Sequence, residues 1–362
     1  MLCKNARKKT LGITLCLTFL SVGGVFAAED APAPWTFVST PDFFNFDVPE
    51  PWPGWDPAVN WYLAQVKAEN PEFVAVAGDL VNGHWTEGPK CIQHMGAHMY
   101  GAWIRRMEQH GLEYFTAIGD HELGDDPWPE SKLGLVPQFR QTYIDHLQMP
   151  ENGPEHKKGL AYYVRHKNLL FITVETFEER GGELHTSVTG KQLDWFKQVL
   201  AEYGEAAAHI VVQGHTPIYG DIKSRSSSRL MLEGGKETAF YQAMVDGGVD
   251  LYLCGEHHAV TVLESDGIWQ LVHGSSWGRK VVDTQDYLVC HVYPDRLDLA
   301  MKSFPMEAKG DKMWNLHKGG GPREIVEIPP EVKVEGPQVI GTITIEKTAK
   351  GKRYTNRSGI FE

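Results

Sequence analysis

Short apolar runs alternate along the chain with longer segments of helical periodicity. Residues 73–77 (FVAVA) form a continuous apolar run, as is typical of a strand buried on both faces. The next strands are predicted at 113–118, 208–213 and 250–254, with a first one at 35–39. Helices are predicted at 61–67, 92–110, 190–203 and 236–245. This alternation predicts an α/β fold with a largely parallel sheet and right-handed crossovers.

Three pairs of predicted strands are joined by short turns and indicate hairpins. They lie at 161–166 with 169–175, at 261–264 with 269–273, and at 287–293 with 296–301. Residues 28–304 therefore read as one folded domain. From residue 305 onward the chain is rich in Gly, Pro and Lys, which predicts a loosely packed C-terminal tail (305–362) with one short strand near 339–346.

The composition excludes several classes of protein. Of 362 residues, 42% are hydrophobic and 23% are charged, as in ordinary globular proteins and unlike disordered or multi-span membrane chains. The chain has 35 Lys plus Arg against 47 Asp plus Glu, a formal net charge of −12. A nucleic-acid-coating role is not expected, because phosphate backbones attract a surplus of Lys and Arg.

The N-terminus has the pattern of a secretory signal peptide. An apolar run at 11–25 follows a positively charged start and precedes the small-residue site at 25–27. As a helix this run spans roughly 22 Å, less than the roughly 30 Å hydrocarbon core of a bilayer. We expect residues 1–27 to be cleaved, giving a secreted or periplasmic protein without a transmembrane segment; an uncleaved anchor is the alternative.

Three cysteines remain after the expected cleavage, namely Cys91, Cys254 and Cys290. An oxidising compartment permits one disulfide bond among them. Cys254 and Cys290, however, lie in apolar strand sequences, and three free cysteines are the simpler interpretation.

Polar residues follow four of the predicted strands directly. In each case a glycine comes first, which lets the chain turn so that the next side chains point back over the strand ends. The carboxyl edge of an open α/β sheet is where such folds carry their sites. The four segments are Gly78-Asp79-Leu80-Val81-Asn82, Gly119-Asp120-His121-Glu122, Gly214-His215-Thr216-Pro217 and Gly255-Glu256-His257-His258.

A shared pocket of carboxylates and imidazoles is best explained by bound metal. The carboxylates would repel one another if no cation lay between them. A pair of divalent ions about 3.5–4 Å apart removes this repulsion and makes a bridging water acidic. We therefore predict two divalent metal ions.

In this order of motifs the chain resembles the calcineurin-like metallophosphoesterase superfamily. That family carries Asp-x-His, Gly-Asp-x-x-Asn/Asp, Gly-Asn-His-Asp/Glu, a lone His, and Gly-His-x-His. The resemblance covers about residues 35–275. It implies a four-layer α/β/β/α sandwich of two mixed β-sheets, a dinuclear metal centre, and hydrolysis of a phosphoester by a metal-bridging hydroxide.

The resemblance also implies roles for individual residues. Asp79 corresponds to the metal-bridging carboxylate. Asp120, His215 and His258 correspond to further metal ligands. His121 is similar to the residue that protonates the leaving oxygen, and Glu122 is expected to orient its imidazole.

Three departures from the family pattern change the expected ligand set. No His follows the first Asp, so Asp42 is the expected first ligand and the second is Asn45, Asp47 or neither. Asp120 stands in place of Asn. Glu256 stands in place of the first His of the last motif, unless His257 takes that role.

These departures give a shell rich in hard oxygen ligands, which favours Mn²⁺, Mg²⁺, Ca²⁺ or iron over Zn²⁺. The leading interpretation is a secreted or periplasmic phosphoesterase acting on a small-molecule substrate. The alternatives are a non-catalytic metal- or ligand-binding protein on the same fold, and a hydrolase of another ester such as a sulfate. The sequence leaves monoester and diester substrates, and the oligomeric state, open.

Overall fold

The structure is a computed structural model in which two large β-sheets lie at the centre. The signal segment and the candidate ligands Asn45 and Asp47 fall outside the part of the chain that it describes. The described residues are 33–42, 55–81, 83, 85, 87–224, 227–274, 284–309, 325–349 and 351–362.

Seventeen strands are present in the described ranges. In chain order they are β1 Trp35–Thr40, β2 Val74–Val76, β3 Tyr114–Thr116, β4 Tyr162–His166, β5 Leu169–Thr173, β6 Phe177–Arg180, β7 Glu183–Thr186, β8 His209–Gln213, β9 Leu251–Cys254, β10 Thr261–Ser265, β11 Ile268–Val272, β12 Thr284–Val292, β13 Arg296–Pro305, β14 Glu307–Lys309, β15 Ile325–Glu327, β16 Gln338–Thr348 and β17 Gly351–Gly359.

Seven α-helices and three 3-10 turns accompany these strands in the same ranges. The helices are α1 Trp55–Ala68, α2 Pro89–Gln109, α3 Glu130–Leu133, α4 Val136–Leu147, α5 Gly190–Tyr203, α6 Ala239–Asp246 and α7 Pro330–Glu335. The 3-10 turns are His121–Leu123, Glu155–Lys157 and Gly235–Glu237.

Both large sheets are mixed. The first has the order β17-β16-β13-β12-β1-β2-β3, and the second has the order β10-β11-β9-β8-β5-β4. The strands β1, β2 and β3 are parallel, as are β5, β8, β9 and β11, whereas the remaining neighbours are antiparallel. The three predicted hairpins are present as β4–β5, β10–β11 and β12–β13.

Apolar side chains fill the space between the two sheets and the outer face of each. Phe37 stacks on Phe73 with ring centroids 5.1 Å apart, and both belong to the cluster that includes Phe171 of the second sheet. Helices α1, α2 and α4 pack on the outer face of the first sheet, and α5 and α6 on that of the second. These are four layers, so the predicted α/β/β/α sandwich is confirmed.

The strand register brings the carboxyl ends of the parallel strands level. In the first sheet Thr40 pairs with Val76, and Val76 pairs with Thr116. In the second sheet Thr173 pairs with Gln213, which pairs with Leu253. Because each strand ends within a residue of its partner, the segments that follow all begin at one edge.

The expectation of a loosely packed C-terminal tail was wrong for its described residues. Strand β16 pairs with β13 and β17 pairs with β16, so the first sheet gains two long strands. Ile343, Ile345 and Phe361 are buried in the layer between the sheets. Alternating apolar residues in β16, and not the Gly/Pro/Lys composition, determine how this segment packs.

Two smaller findings concern the cysteines and the helices. Cys91, Cys254 and Cys290 are free, and the last two are buried. The helix expected at 236–245 is divided into a 3-10 turn and α6. Helix α6 begins after the N-cap Thr238, whose side chain accepts the Tyr241 N–H.

In the part of the chain that the structure describes, no helix combines the length and apolarity that a bilayer crossing needs.

Candidate metal centre

Two glycines at the strand ends are required by the close approach of a carboxylate from another strand. A Cβ on Gly119 would lie 2.1 Å from Asp79 Oδ1, and a Cβ on Gly255 would lie 1.8 Å from Asp42 Oδ1. Both distances are far below a van der Waals contact. These glycines therefore allow the carboxylates of the first sheet to reach the turns that follow their neighbours.

Three polar residues at the same edge have left-handed backbone angles. The φ angle is 54° for Asp79, 70° for Glu256 and 56° for His258. Such angles cost free energy for residues other than glycine and concentrate at functional sites. They turn these side chains back over the ends of β2 and β9.

The acidic and histidine side chains from five strand ends, those of β1, β2, β3, β8 and β9, converge in two groups that share Asp79. Within each group the potential ligand atoms lie within 4.8 Å of one another, and all the residues are buried. The first group is Asp79, Asp120, His215 and Glu256, and the second is Asp42, Asp79 and His258.

The imidazole of His215 faces three carboxylates. Its Nδ1–H donates to the carbonyl oxygen of Ala77 over 2.8 Å, which leaves Nε2 directed at the acidic side chains. Nε2 lies 2.9 Å from Asp120 Oδ1, 3.4 Å from Glu256 Oε2 and 3.5 Å from Asp79 Oδ1. This nitrogen is placed as a metal ligand would be.

The contacts of the Asp42 carboxylate indicate whether a cation fits between the ligands. Its Oδ2 accepts the N–H of Glu256 over 2.9 Å and lies 3.4 Å from His258 Nε2. Its Oδ1 is buried and has no hydrogen-bond partner among the described residues. A buried carboxylate oxygen without a hydrogen-bond donor costs free energy. A divalent cation bound by Asp42, Asp79 and His258 would interact with this oxygen. The residues present therefore fit a pair of metal ions.

Burial and mutual repulsion change the protonation of the centre. Burial, followed by the charge of Asp120, raises the pKa of Asp79 well above its ordinary value. Burial alone would lower the pKa of His215, but Asp79 and the other carboxylates outweigh it and raise that pKa well above its usual range. Among the described residues, the ion-pair partners of Asp79, Asp120 and Glu256 are imidazoles. The centre thus carries excess negative charge that a metal would neutralise.

Glu122 holds the two acidic turns together. Its Oε2 accepts the N–H groups of Asp79 over 2.8 Å and Gly119 over 2.7 Å, and its Oε1 accepts the N–H of Val81 over 3.0 Å. We predicted that Glu122 orients the imidazole of His121. Its carboxylate oxygens instead accept hydrogen bonds from three backbone N–H groups. Glu122 therefore stabilises the turns after β2 and β3.

His121 lies at the mouth of the centre, in the 3-10 turn after Asp120. Its Nε2 is 4.0 Å from Asp79 Oδ2 and 3.8 Å from Asp125 Oδ1. Asp125 was not singled out from the sequence, although its spacing of four residues from His121 was a usable signal. Burial, followed by Asp120 among the repelling charges, raises the pKa of Asp125 to about 6.

The structure brings most of the expected ligands together. Glu256, not His257, lies in the cluster, since His257 Nε2 instead lies 3.2 Å from the carbonyl oxygen of Leu230. Asn45 and Asp47 fall outside the described residues. The expected ligands that the structure places in the two groups are Asp42, Asp79, Asp120, His215, Glu256 and His258.

Comparisons with known proteins agree with this geometry. The family model for calcineurin-like phosphoesterases matches residues 46–260. A dimetal phosphatase from Danio rerio is similar with a TM-score of 0.51 at 11% identity, over 81% of this chain and 98% of that chain. A purple acid phosphatase, PPD1 from yellow lupin, is similar with a TM-score of 0.50 at 13% identity, over 81% of this chain and 53% of that chain. No curated protein sequence gives a significant match.

The family match spans more than half of the chain and includes Asp79, Asp120, His215, Glu256 and His258. The chain therefore belongs to the calcineurin-like phosphoesterase family. It is a metallophosphoesterase, and its cofactors are two divalent metal ions.

Proposed function

We propose that this metallophosphoesterase hydrolyses a small-molecule phosphoester at the edge where its parallel strands end. The observation that carries the proposal is the sharing of Asp79 by two groups of buried ligands within 4.8 Å of one another. A carboxylate with two oxygens in this position suits two adjacent cations.

The side chains of this protein divide the work at the centre. Asp42 and His258 would hold one ion together with Asp79, and Asp120, His215 and Glu256 would hold the other with it. When bound, the metal pair supplies Lewis-acid polarisation of the phosphoryl oxygens and a water activated for attack. Glu122 keeps the turns after β2 and β3 in register.

His121 is proposed to protonate the leaving oxygen of the substrate. Its side chain is 9% exposed and lies beside Asp79 at the mouth of the centre. A general acid needs this position, next to the reacting group and within reach of solvent. The carboxylate of Asp125 lies 3.8 Å from Nε2 and is placed to direct its ring.

We also propose that the protein acts outside the cytoplasm, in the periplasm or after secretion. The support is the charged start, the apolar run at 11–25 and the small-residue site at 25–27. N-terminal sequencing of protein recovered from the native host is the test; a start near residue 28 is expected, and an intact residue 1 would contradict the proposal.

Turnover of chromogenic esters by purified protein loaded with Mn²⁺ tests the proposed chemistry. We expect hydrolysis of p-nitrophenyl phosphate or bis(p-nitrophenyl) phosphate. Asp79→Asn should lower kcat/KM by about 10³-fold or more, because the shared ligand loses its charge. His121→Ala should lower kcat by about 10²- to 10⁴-fold.

The control is His94→Ala, which removes an exposed histidine on α2. Its kcat/KM should equal that of the wild type. Equal rates for His121→Ala and wild type would contradict the role of His121. Two bound metals without turnover of either phosphoester would favour a binding protein, and turnover of p-nitrophenyl sulfate alone would favour a sulfatase.

A further inference from the structure

Both carboxylate oxygens of Glu256 have defined contacts. Oε2 lies 3.4 Å from His215 Nε2, inside the four-ligand group. Oε1 accepts the hydroxyl of Ser228 over 3.1 Å and the N–H of Leu230 over 3.0 Å. One oxygen therefore faces the metal position, and the other is fixed by residues 227–230, here called the serine loop.

The two metal positions differ in their donor atoms. The position that includes Glu256 offers three carboxylates and one imidazole, whereas the position at His258 offers two carboxylates and one imidazole. In the family pattern a histidine stands where this chain has Glu256. The exchange replaces a neutral nitrogen donor with a charged oxygen donor, and such oxygen donors suit hard ions such as Mn²⁺ and Mg²⁺.

We propose that Glu256 shifts the metal preference of the position beside His215 from Zn²⁺ toward Mn²⁺, and that the serine loop holds Glu256 in place for this purpose. The inference rests on the proposed function, because it requires that the two groups of ligands hold cations. It assigns the substitution in the last motif to metal selection, and not to loss of the metal.

The serine loop acts on the metal through Glu256. A glutamate has three rotatable side-chain bonds, so a carboxylate without anchors samples many positions. The Ser228 hydroxyl and the Leu230 amide fix Oε1, which leaves Oε2 directed at His215. Groups that orient a metal ligand in this way typically change metal affinity by about 10- to 100-fold when removed. Ser228 is therefore a positioning residue.

Competitive metal loading tests the preference without measuring activity. Metal-free protein is dialysed against equal free concentrations of Mn²⁺ and Zn²⁺, and the bound metals are measured by elemental analysis. Zn²⁺ binds more tightly than Mn²⁺ at most sites, so the informative quantity is the change in the Zn:Mn ratio. Glu256→His should raise this ratio by about tenfold, equivalent to about 1.4 kcal/mol.

Histidine is a suitable replacement because it tolerates the left-handed backbone angle at this position. Glu256→Gln is the second variant, since its amide oxygen keeps an acceptor for the serine loop while losing the charge. It should lower the affinity for Mn²⁺ more than that for Zn²⁺. Circular dichroism verifies that each variant is folded, and Glu256→Gln decides the question if Glu256→His does not fold.

A pair of serine variants tests the positioning role. Ser228→Ala removes a hydrogen bond to Glu256 and should raise the Zn:Mn ratio in the same direction as Glu256→His, by a smaller factor. Ser358→Ala is the matched control, because the Ser358 hydroxyl contacts that of Thr342 over 2.9 Å, in the hairpin of β16 and β17 and not in the serine loop. Its ratio should equal that of the wild type.

The outcomes separate this inference from the proposed function. Two bound metals in every protein, with the same Zn:Mn ratio in wild type, Glu256→His and Glu256→Gln, would overturn the inference and leave the proposed function standing. Equal ratios for Ser228→Ala and Ser358→Ala would overturn the role of the serine loop. A wild-type protein that binds neither metal would refute the proposed function itself.

Discussion

Two buried acidic regions lie near the ends of the parallel strands, and they differ in the side chains that balance their negative charge. Glu175, shortly after β5, lies 2.8 Å from Lys157 Nζ and 2.6 Å from an Arg140 nitrogen. Burial raises the pKa of Glu175, but these two cations outweigh it and lower the pKa below its ordinary value of 4.5. Glu175, Arg140 and Lys157 thus form an ionic cluster in which cations balance the buried carboxylate, here called the closed cluster.

The metal centre contains more buried carboxylates, and its described ion-pair partners are imidazoles. Burial raises the pKa of Asp79, and among the described residues no Lys or Arg pairs with Asp79 to reverse this effect. Burial of an acidic side chain therefore does not by itself identify a functional site. The metal centre is distinguished by buried carboxylates whose negative charge is not balanced by a neighbouring Lys or Arg among the described residues.

The largest expected effect comes from breaking the closed cluster. Glu175→Ala removes the buried partner of Lys157 and one of the two carboxylates that pair with Arg140, and should lower the free energy of unfolding by about 3–5 kcal/mol. Its metal content should stay at two ions per chain. Chemical denaturation together with elemental analysis measures both quantities.

The control for this variant is Glu179→Ala, which removes a more exposed carboxylate that also pairs with Arg140. It should cost less than about 1 kcal/mol. A loss of metal from Glu175→Ala in its folded state would show that the two acidic regions are not independent.

A smaller effect is expected at the metal centre from Gly255→Ala. The new Cβ would overlap Asp42 Oδ1, which lies 1.8 Å from its position, so the carboxylate must move. We expect a loss of about 1–3 kcal/mol and weaker binding of the ion held by Asp42 and His258. Thermal unfolding with and without Mn²⁺ should show a reduced metal-dependent increase in Tm.

Gly134→Ala serves as the control, because a Cβ there has its nearest neighbour at 3.6 Å and the φ angle is −62°. Its stability should stay within about 0.5 kcal/mol of the wild type. Full metal binding by Gly255→Ala would contradict the close packing of Asp42 against that turn.

The smallest expected effect is a difference in acid sensitivity. The pKa of Glu175 is lower in the folded protein than its ordinary value of 4.5, so its stabilising contribution is complete above pH 4.5 and is lost as the pH falls through the folded pKa. Glu175→Gln lacks this contribution. Its unfolding free energy should therefore fall less steeply below pH 4.5 than that of the wild type, and parallel curves would contradict the ionic pairing.

The sequence was most informative where a local pattern determines the structure. Helix α5 was predicted at 190–203 with the bounds that the structure shows, because its apolar spacing is regular. The turns after β2, β3, β8 and β9 were recognised from glycine followed by polar residues. The convergence of Asp79 with Glu256, far apart in the chain, was inferred from the order of those turns along one sheet edge.

Other features depend on contacts that no local pattern encodes. The pairing of Glu175 with Arg140 joins residues 35 positions apart, and the local sequence around either residue does not indicate which residue it pairs with. Strand β16 agrees with the strand predicted near 339–346, but its partner β17 and its place beside β13 depend on pairing between distant segments. Lys347 and Lys352 of the hairpin formed by β16 and β17 reach the carboxylate of Asp250 in the second sheet, over 2.9 and 3.1 Å. The role of Ser228 likewise follows only from the folded arrangement.

The left-handed backbone at Asp79, Glu256 and His258 limits how this protein could be redesigned. Residues with a β-branched side chain are strained at such angles, whereas Asn, Asp and His tolerate them. A library that randomises these positions should therefore return few folded proteins with Val, Ile or Thr. Exchange of one metal for another by mutagenesis is restricted to side chains that are unbranched at Cβ.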